Sequence, residues 1–165
     1  MDYKEVTLYG RKIRVYSGEH IEMEFRERVG DFRKIKMFKD QEYNRVRVKE
    51  NGITHNVAVH RLVFYAHNPA WDIYNSSTDN SIDHINEARS DNRIENLQCV
   101  TNQENQFKNS KAKGYYWNKY KKKWIASICL NRKTILLGNF NEESDAREAY
   151  LVAKLKYHII EERVF

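Results

Sequence analysis

Cysteine is scarce, and the two present show no pairing pattern: Cys99 and Cys129 lie thirty positions apart, with no Cys-x-x-Cys. That spacing points to neither a disulfide framework nor a cysteine-based zinc knuckle, and leaves two semi-buried thiols as the reading. No apolar run approaches the length that crosses a bilayer, and the start, Met1-Asp2-Tyr3-Lys4-Glu5-Val6, lacks the basic stretch and apolar core of a secretory signal. An intracellular place of action with no membrane partner is therefore expected. One sign of charge is also missing locally, since no Asp or Glu occurs from Asn105 to Phe140.

Within that stretch Lys108, Lys111, Lys113, Lys119, Lys121, Lys122, Lys123, Arg132 and Lys133 supply nine positive charges, leaving 20 basic against 23 acidic residues elsewhere. A block of this kind is the footprint of a polyanion partner, because each phosphate it neutralises releases condensed counterions. Tyr115, Tyr116, Trp117, Tyr120 and Trp124 are interleaved with the cations. Such rings can stack or pack beside a backbone that lysines grip, which favours nucleic acid over a merely solvated basic face. With 165 residues, 41% of them hydrophobic and 13% aromatic, the chain has room and material for one ordinary domain or two small packed ones.

Residues 1 to about 59 read as β-rich, with short alternating runs such as Val6-Thr7-Leu8, Ile13-Arg14-Val15 and Val46-Arg47-Val48. Asn51-Gly52 between two such runs predicts a tight hairpin, and a scaffolding role is expected for this region. His60 to His67 reads as a short helix stopped by Asn68-Pro69, with a polar loop from Ala70 to Asn80. A compact unit follows: the strand Ser81-Ile82-Asp83-His84, an Asn-rich loop through Asn96, a strand Leu97 to Val100, and a helix from about Asn102 to Lys108. Thr101 and Glu104 have the spacing of a capping box, which places Asn105 in the first turns of that helix. Asp83 and His84 point to opposite sides of their strand, yet a strand end can aim both into a cleft if the loop behind it turns away.

The order Val59-His60-Arg61-Leu62-Val63, Ile82-Asp83-His84-Ile85-Asn86, Asn92-Arg93-Ile94-Glu95-Asn96-Leu97 and Val100-Thr101-Asn102-Gln103-Glu104-Asn105 resembles the HNH nucleases, whose ββα-metal motif runs strand, loop, strand, helix. The likeness is to intron-borne homing endonucleases of phages and related free-standing phage enzymes. It implies a metal-dependent DNA endonuclease that hydrolyses phosphodiester bonds. His84 is the implied general base, since neutral imidazole can take a proton from water. Asp83 and Asn105 are the implied ligands of one divalent cation, Mg²⁺ or Mn²⁺, through hard oxygen atoms. Asn96 is the implied central Asn that aims His84 by bonding backbone across the loop, with Asn92 a rival four residues earlier. Many family members carry His where this chain has Asn105. His60 reads as structural, and His55, His67 and His158 as surface or packing residues.

Residues 109 to 113 read as a basic linker. Beyond it, Tyr115 to Asn118, Lys123 to Leu130 and Lys133 to Leu137 read as three strands with Asn131-Arg132 as a turn. A closing helix presents Ala146, Ala149, Tyr150, Ala153 and Tyr157 at helical spacing. Gly114-Tyr115-Tyr116-Trp117, Lys123-Trp124-Ile125-Ala126, Leu137-Gly138-Asn139-Phe140 and the helix face resemble the Apetala/ethylene-response-factor DNA-binding domain, known in plants and found appended to phage HNH enzymes. The resemblance implies a sheet that enters the major groove, with Tyr116, Asn118, Lys121, Lys123, Trp124 and Arg132 facing DNA. For at least one of Trp117 and Trp124, core packing is the plainer reading.

The expectation is an α+β chain: a β-rich N-terminal region leading into a ββα-metal core at about 81–109, within a nuclease domain 1–110, then a three-stranded antiparallel sheet on one helix within a DNA-binding domain 111–165. Double-stranded DNA is the expected partner, with no obligatory protein partner and a monomer favoured over a dimer. One such site per monomer favours nicking. The alternatives are a non-catalytic, sequence-specific DNA-binding regulator and an RNA-binding module. If phage-encoded, the protein is expected in the cytoplasm of a bacterial host.

Overall fold

The computed structural model describes residues 2–16, 20–25, 27–109, 113–130, 132–160 and 163. The expected boundary at 110/111, most of the expected linker and Asn131 of the expected turn lie outside them. By its contacts the chain divides into two compact units, Met1–Cys99 with Glu162–Phe165, and Val100–Glu161. Mostly antiparallel sheets with few helices give the expected α+β class. Among the described residues no helix is long and apolar enough to cross a membrane.

In the first unit, β1 (Lys4–Leu8), β2 (Arg11–Val15), β3 (Ile21–Glu24) and β4 (Phe32–Lys34) form an antiparallel meander. A second sheet is built from β5 (Phe38–Asp40), β6 (Tyr43–Glu50) and β7 (Ile53–Ala58). Its central hairpin turns at Asn51 and Gly52, with φ of 47° and 84°, the paired positive values that a mirror-image two-residue turn requires. The turn sets a register from Glu50↔Ile53 to Arg45↔Ala58. Side chains alternate across this sheet, so Val46 and Val48 are fully buried while Arg45, Arg47 and Lys49 stand on the opposite face.

The helix α1 (Val59–His67) follows without a gap and buries Val59, Leu62, Val63, Phe64 and Ala66 against a core that includes Leu8, Ile13, Val15 and Ile21. Asn68 ends it: its backbone N–H and its Nδ2 both donate to the Phe64 carbonyl, at 2.9 and 3.0 Å, and Pro69 cannot continue the helix. Trp71, 1% exposed, sits under the Arg61 guanidinium at 4.7 Å and edge-on to Phe64 at 5.2 Å. After it come β8 (Ser81–His84), a single 3-10 turn at Ile94–Asn96, and β9 (Leu97–Val100), which pairs with β8.

The second unit opens with α2 (Asn102–Asn109) behind the expected capping box. Thr101 N–H donates to Glu104 Oε2 at 2.7 Å and Glu104 N–H to Thr101 Oγ1 at 3.2 Å. An antiparallel sheet of β10 (Tyr115–Asn118), β11 (Lys123–Leu130) and β12 (Lys133–Phe140) carries α3 (Glu143–Tyr157). The third strand runs three residues past its expected end at Leu137. Ala126 faces Gly138 and Ser127 faces Leu136, so Leu137 is the extra residue of a bulge and packs on Ile128, Tyr150 and Ala153. That bulge breaks the period-2 pattern by which a strand is read. The helix face is narrower than its spacing suggests, because Ala146, Tyr150 and Ala153 are buried while Tyr157 is exposed.

Gly114 has φ of +70°, and a Cβ there would collide with the Tyr150 ring. Gly114→Ala is expected to destabilise the second unit by about 2–3 kcal/mol, from backbone strain plus overpacking. Gly52→Ala, with φ of +84° and no atom within 4 Å of the new Cβ, should cost only about 1–2 kcal/mol. Thermal unfolding followed by circular dichroism separates the two variants.

Candidate active site

The segment between α1 and β8 has no sheet ladder, so side chains satisfy its backbone. Arg61 Nη1 donates to the Asn80 carbonyl at 3.0 Å, and Nη2 to those of Ile73 and Asn75, both at 2.9 Å. Asn80 Nδ2 adds bonds to the Asp72 carbonyl at 2.8 Å and the Asn75 carbonyl at 2.9 Å. The chain is thereby fixed as it enters β8.

On β8, Ile82 and His84 are buried and Asp83 is half-buried on the other face, the alternation a strand imposes. Gln98 on β9 donates from Nε2 to Asp83 Oδ2 at 3.0 Å. His84 is 3% exposed, and its Nε2 lies 3.1 Å from Asn92 Oδ1. An amide oxygen only accepts, so Nε2 donates in this pair. Asn96 spans the loop behind: Asn86 N–H donates to its Oδ1 at 2.9 Å, and its Nδ2 donates to the Asp91 carbonyl at 2.8 Å. Arg93 grips Asp91 with two bonds of 2.8 Å and holds that carboxyl well below the usual range. The two Asn weighed for one role thus do different things, with Asn92 touching the His84 ring and Asn96 framing the loop.

His60 sits closer to this centre than its sequence reading implies. Its ring centroid is 5.2 Å from that of His84 and 5.0 Å from Tyr43, it is 8% exposed, and its Nδ1 has no hydrogen-bond partner. Burial, with His84, Arg61 and Arg45 adding to it, lowers its pKa to about 3, so the ring is neutral. One signal was available: Ala58 pairs with Arg45, so His60, two residues on in the first turn of α1, lies near the strand end that carries Tyr43. Asn105 belongs to the second unit, where its N–H bonds the Thr101 carbonyl at 3.0 Å. Among the described residues no group of three or more His, Cys, Asp or Glu is placed to hold a metal ion.

Residues 57–107 match the family model of HNH endonuclease. The matched stretch runs from the end of β7 through α1, β8 and β9 into α2, and supports the HNH nuclease family and, with it, a nuclease acting on DNA. No curated protein and no solved structure matches the chain. Within the HNH stretch the first unit brings Asp83, His84, Asn92 and Asn96 together on one hairpin and its loop.

In the second unit the six residues expected to face DNA do not share one surface. Tyr116, Asn118 and Lys123 lie on one face of the sheet by register. Trp124 is paired with Trp117, at 5.6 Å between rings, and neighbours Tyr115, which packs on the α3 cluster; Trp124 therefore stands on the helix-bearing face. Asn118 Oδ1 accepts the N–H groups of Tyr120 and Lys121 at 3.1 and 2.9 Å, which shapes the turn that presents Lys121. Arg132 stands past the far end of the eight-residue β11, about 26 Å from that turn.

The depressed His60 pKa fixes a sign. Between about pH 3 and pH 6.5 the unfolded chain binds a proton at His60 that the folded chain does not, so stability is fully present above 6.5 and falls as the pH drops through that window. The slope is at most about 1.4 kcal/mol per pH unit. His60→Gln should flatten it, as read from denaturant midpoints measured from pH 7 down to 4.

Proposed function

We propose that the protein is a metal-dependent DNA endonuclease of the HNH type, with His84 as general base. The observation that carries this is His84 at the end of β8, held by Asn92 and framed by the Asn96-closed loop, inside the stretch that matches the HNH model. In this role the imidazole takes the water proton while the oxygen attacks phosphorus and the 3′ oxygen leaves. The imidazolium so formed keeps its Nε2–H bond to Asn92. Because His60 is neutral, it sets no like charge beside that imidazolium.

Asp83 projects from the opposite face of β8, with Gln98 orienting one carboxylate oxygen, and as a carboxylate it is a hard oxygen donor. The resemblance gives Asn105 as the second oxygen ligand on the order of the motifs alone. A protein donor set this sparse and all oxygen suits Mg²⁺ or Mn²⁺, which complete their shells with water and phosphate oxygens. Bound there, the cation supplies positive charge against that growing on the phosphate and the leaving oxygen.

In this reading residues 1–110 form the nuclease domain and 111–165 an Apetala/ethylene-response-factor-like module that holds double-stranded DNA. The homing role, a phage origin and a place in the bacterial cytoplasm follow from the resemblance.

Purified protein is expected to nick supercoiled plasmid with Mg²⁺ or Mn²⁺ and not with EDTA. His84→Ala should abolish nicking and keep DNA binding. Tight binding without cleavage by the wild-type protein under either metal would instead mark a DNA-binding regulator.

A further inference from the structure

The closing helix α3 meets its sheet through Ala146, Tyr150 and Ala153, all buried, while Leu151, Val152 and Leu155 point elsewhere and are 45%, 59% and 81% exposed. A solvated helix face is ordinarily polar, and large aliphatic side chains turned outward at neighbouring positions mark a contact surface. Beside Val152, between α3 and β12, lies a groove of about 490 Å³ lined by Leu137 and Phe140, with Asp145 and Glu148 toward the N-terminal end of the helix and Lys156 toward its C-terminal end. Glu148, Val152 and Lys156 follow one another at four-residue spacing, so they form a single ridge with the apolar residue between opposite charges. Among the described residues neither Glu148 nor Lys156 is in an ion pair, and Lys156 Nζ stands 5.0 Å over the ring of its neighbour Tyr157.

We propose that this face of α3 pairs with the same face of a second copy of the chain, the two helices running antiparallel about a twofold axis near Val152. A twofold contact must be self-complementary, each residue i meeting j as j meets i. The ridge satisfies that condition. Glu148 and Lys156 stand about 6 Å along the helix axis from Val152, on opposite sides of it, so antiparallel pairing sets Glu148 against Lys156 of the other copy twice and Val152 against itself. Parallel pairing would set like charge on like charge. The antiparallel sense also brings the acidic first turn, with Glu143 and Asp145, toward the end of the other helix that carries Lys154 and Lys156, and sets the two helix dipoles head to tail. Leu155 and the groove wall at Leu137 and Phe140 flank the ridge and lose solvent together with Val152. Nothing in this pairing depends on the nuclease reading, and a dimer takes the place of the monomer favoured from sequence.

Sedimentation equilibrium of the full chain, at concentrations up to about 200 μM so that a micromolar dissociation constant is in range, is expected to show the 19.8 kDa monomer passing to a species of twice that mass. Glu148→Lys and Lys156→Glu each turn two attractions per dimer into two repulsions and should each weaken pairing by about tenfold or more, whereas an equimolar mixture of the two should pair again. Val152→Asp with Leu155→Asp should abolish pairing. Arg147→Glu, on another side of the helix, should leave it in place. All these positions are exposed, and circular dichroism melts check that each variant stays folded. A wild-type chain that remains monomeric overturns the pairing and leaves the face to a different protein. A dimer that both charge reversals leave intact, or a mixture of the two that fails to pair, overturns it as well.

Discussion

The two bonds of the Asn96 amide, from Asn86 N–H to Oδ1 at 2.9 Å and from Nδ2 to the Asp91 carbonyl at 2.8 Å, close a loop that has no ladder of its own. A buried backbone group without a partner costs about 1–3 kcal/mol, so an irregular segment this close to the core needs such side chains. Arg61 and Asn80 do the same upstream, with five bonds to main-chain carbonyls between them. His84 inherits its position from both ends of this scheme. Its strand begins where Asn80 is pinned, and the loop that presents Asn92 to its ring is the one that Asn96 closes. The Asn-rich composition of this stretch is thus a backbone requirement first, and the candidate chemistry is built on it.

Local rules made much of this legible. Asn51-Gly52 specified its turn because both positions need positive φ, and Thr101 with Glu104 specified the start of α2 because their side chains reach each other's N–H groups. The order of motifs around Asp83, His84, Asn96 and Asn105 located the region that the HNH model matches. What sequence did not yield was set by tertiary neighbours. Spacing cannot tell that Asn92 meets the His84 ring while Asn96 meets backbone, since both lie in one loop and differ only in where it folds. Trp124 reads as a DNA-facing aromatic among lysines, yet its parity with Trp117 and Tyr115 sets it on the helix-bearing face. The Leu137 bulge hid the last residues of β12 for a related reason, because one extra residue reverses the alternation by which a strand is recognised.

His60 shows why a burial pattern alone misjudges such a residue. On α1 it occupies an inward position, where an apolar side chain would pack without leaving a ring nitrogen unpaired. The ring in place is kept uncharged by its burial. Around it Arg61 spends its guanidinium on main-chain carbonyls, while Arg47 and Lys49 stand exposed on the outer face of β6. Arg61 and Arg45 both act on the His60 ring and, with its burial, hold it neutral 5.2 Å from the His84 ring. The hairpin register ends at Arg45↔Ala58 and α1 begins at Val59, so it is the first turn of the helix, not a strand pair, that sets the His60 ring 5.0 Å from Tyr43 and 5.2 Å from His84.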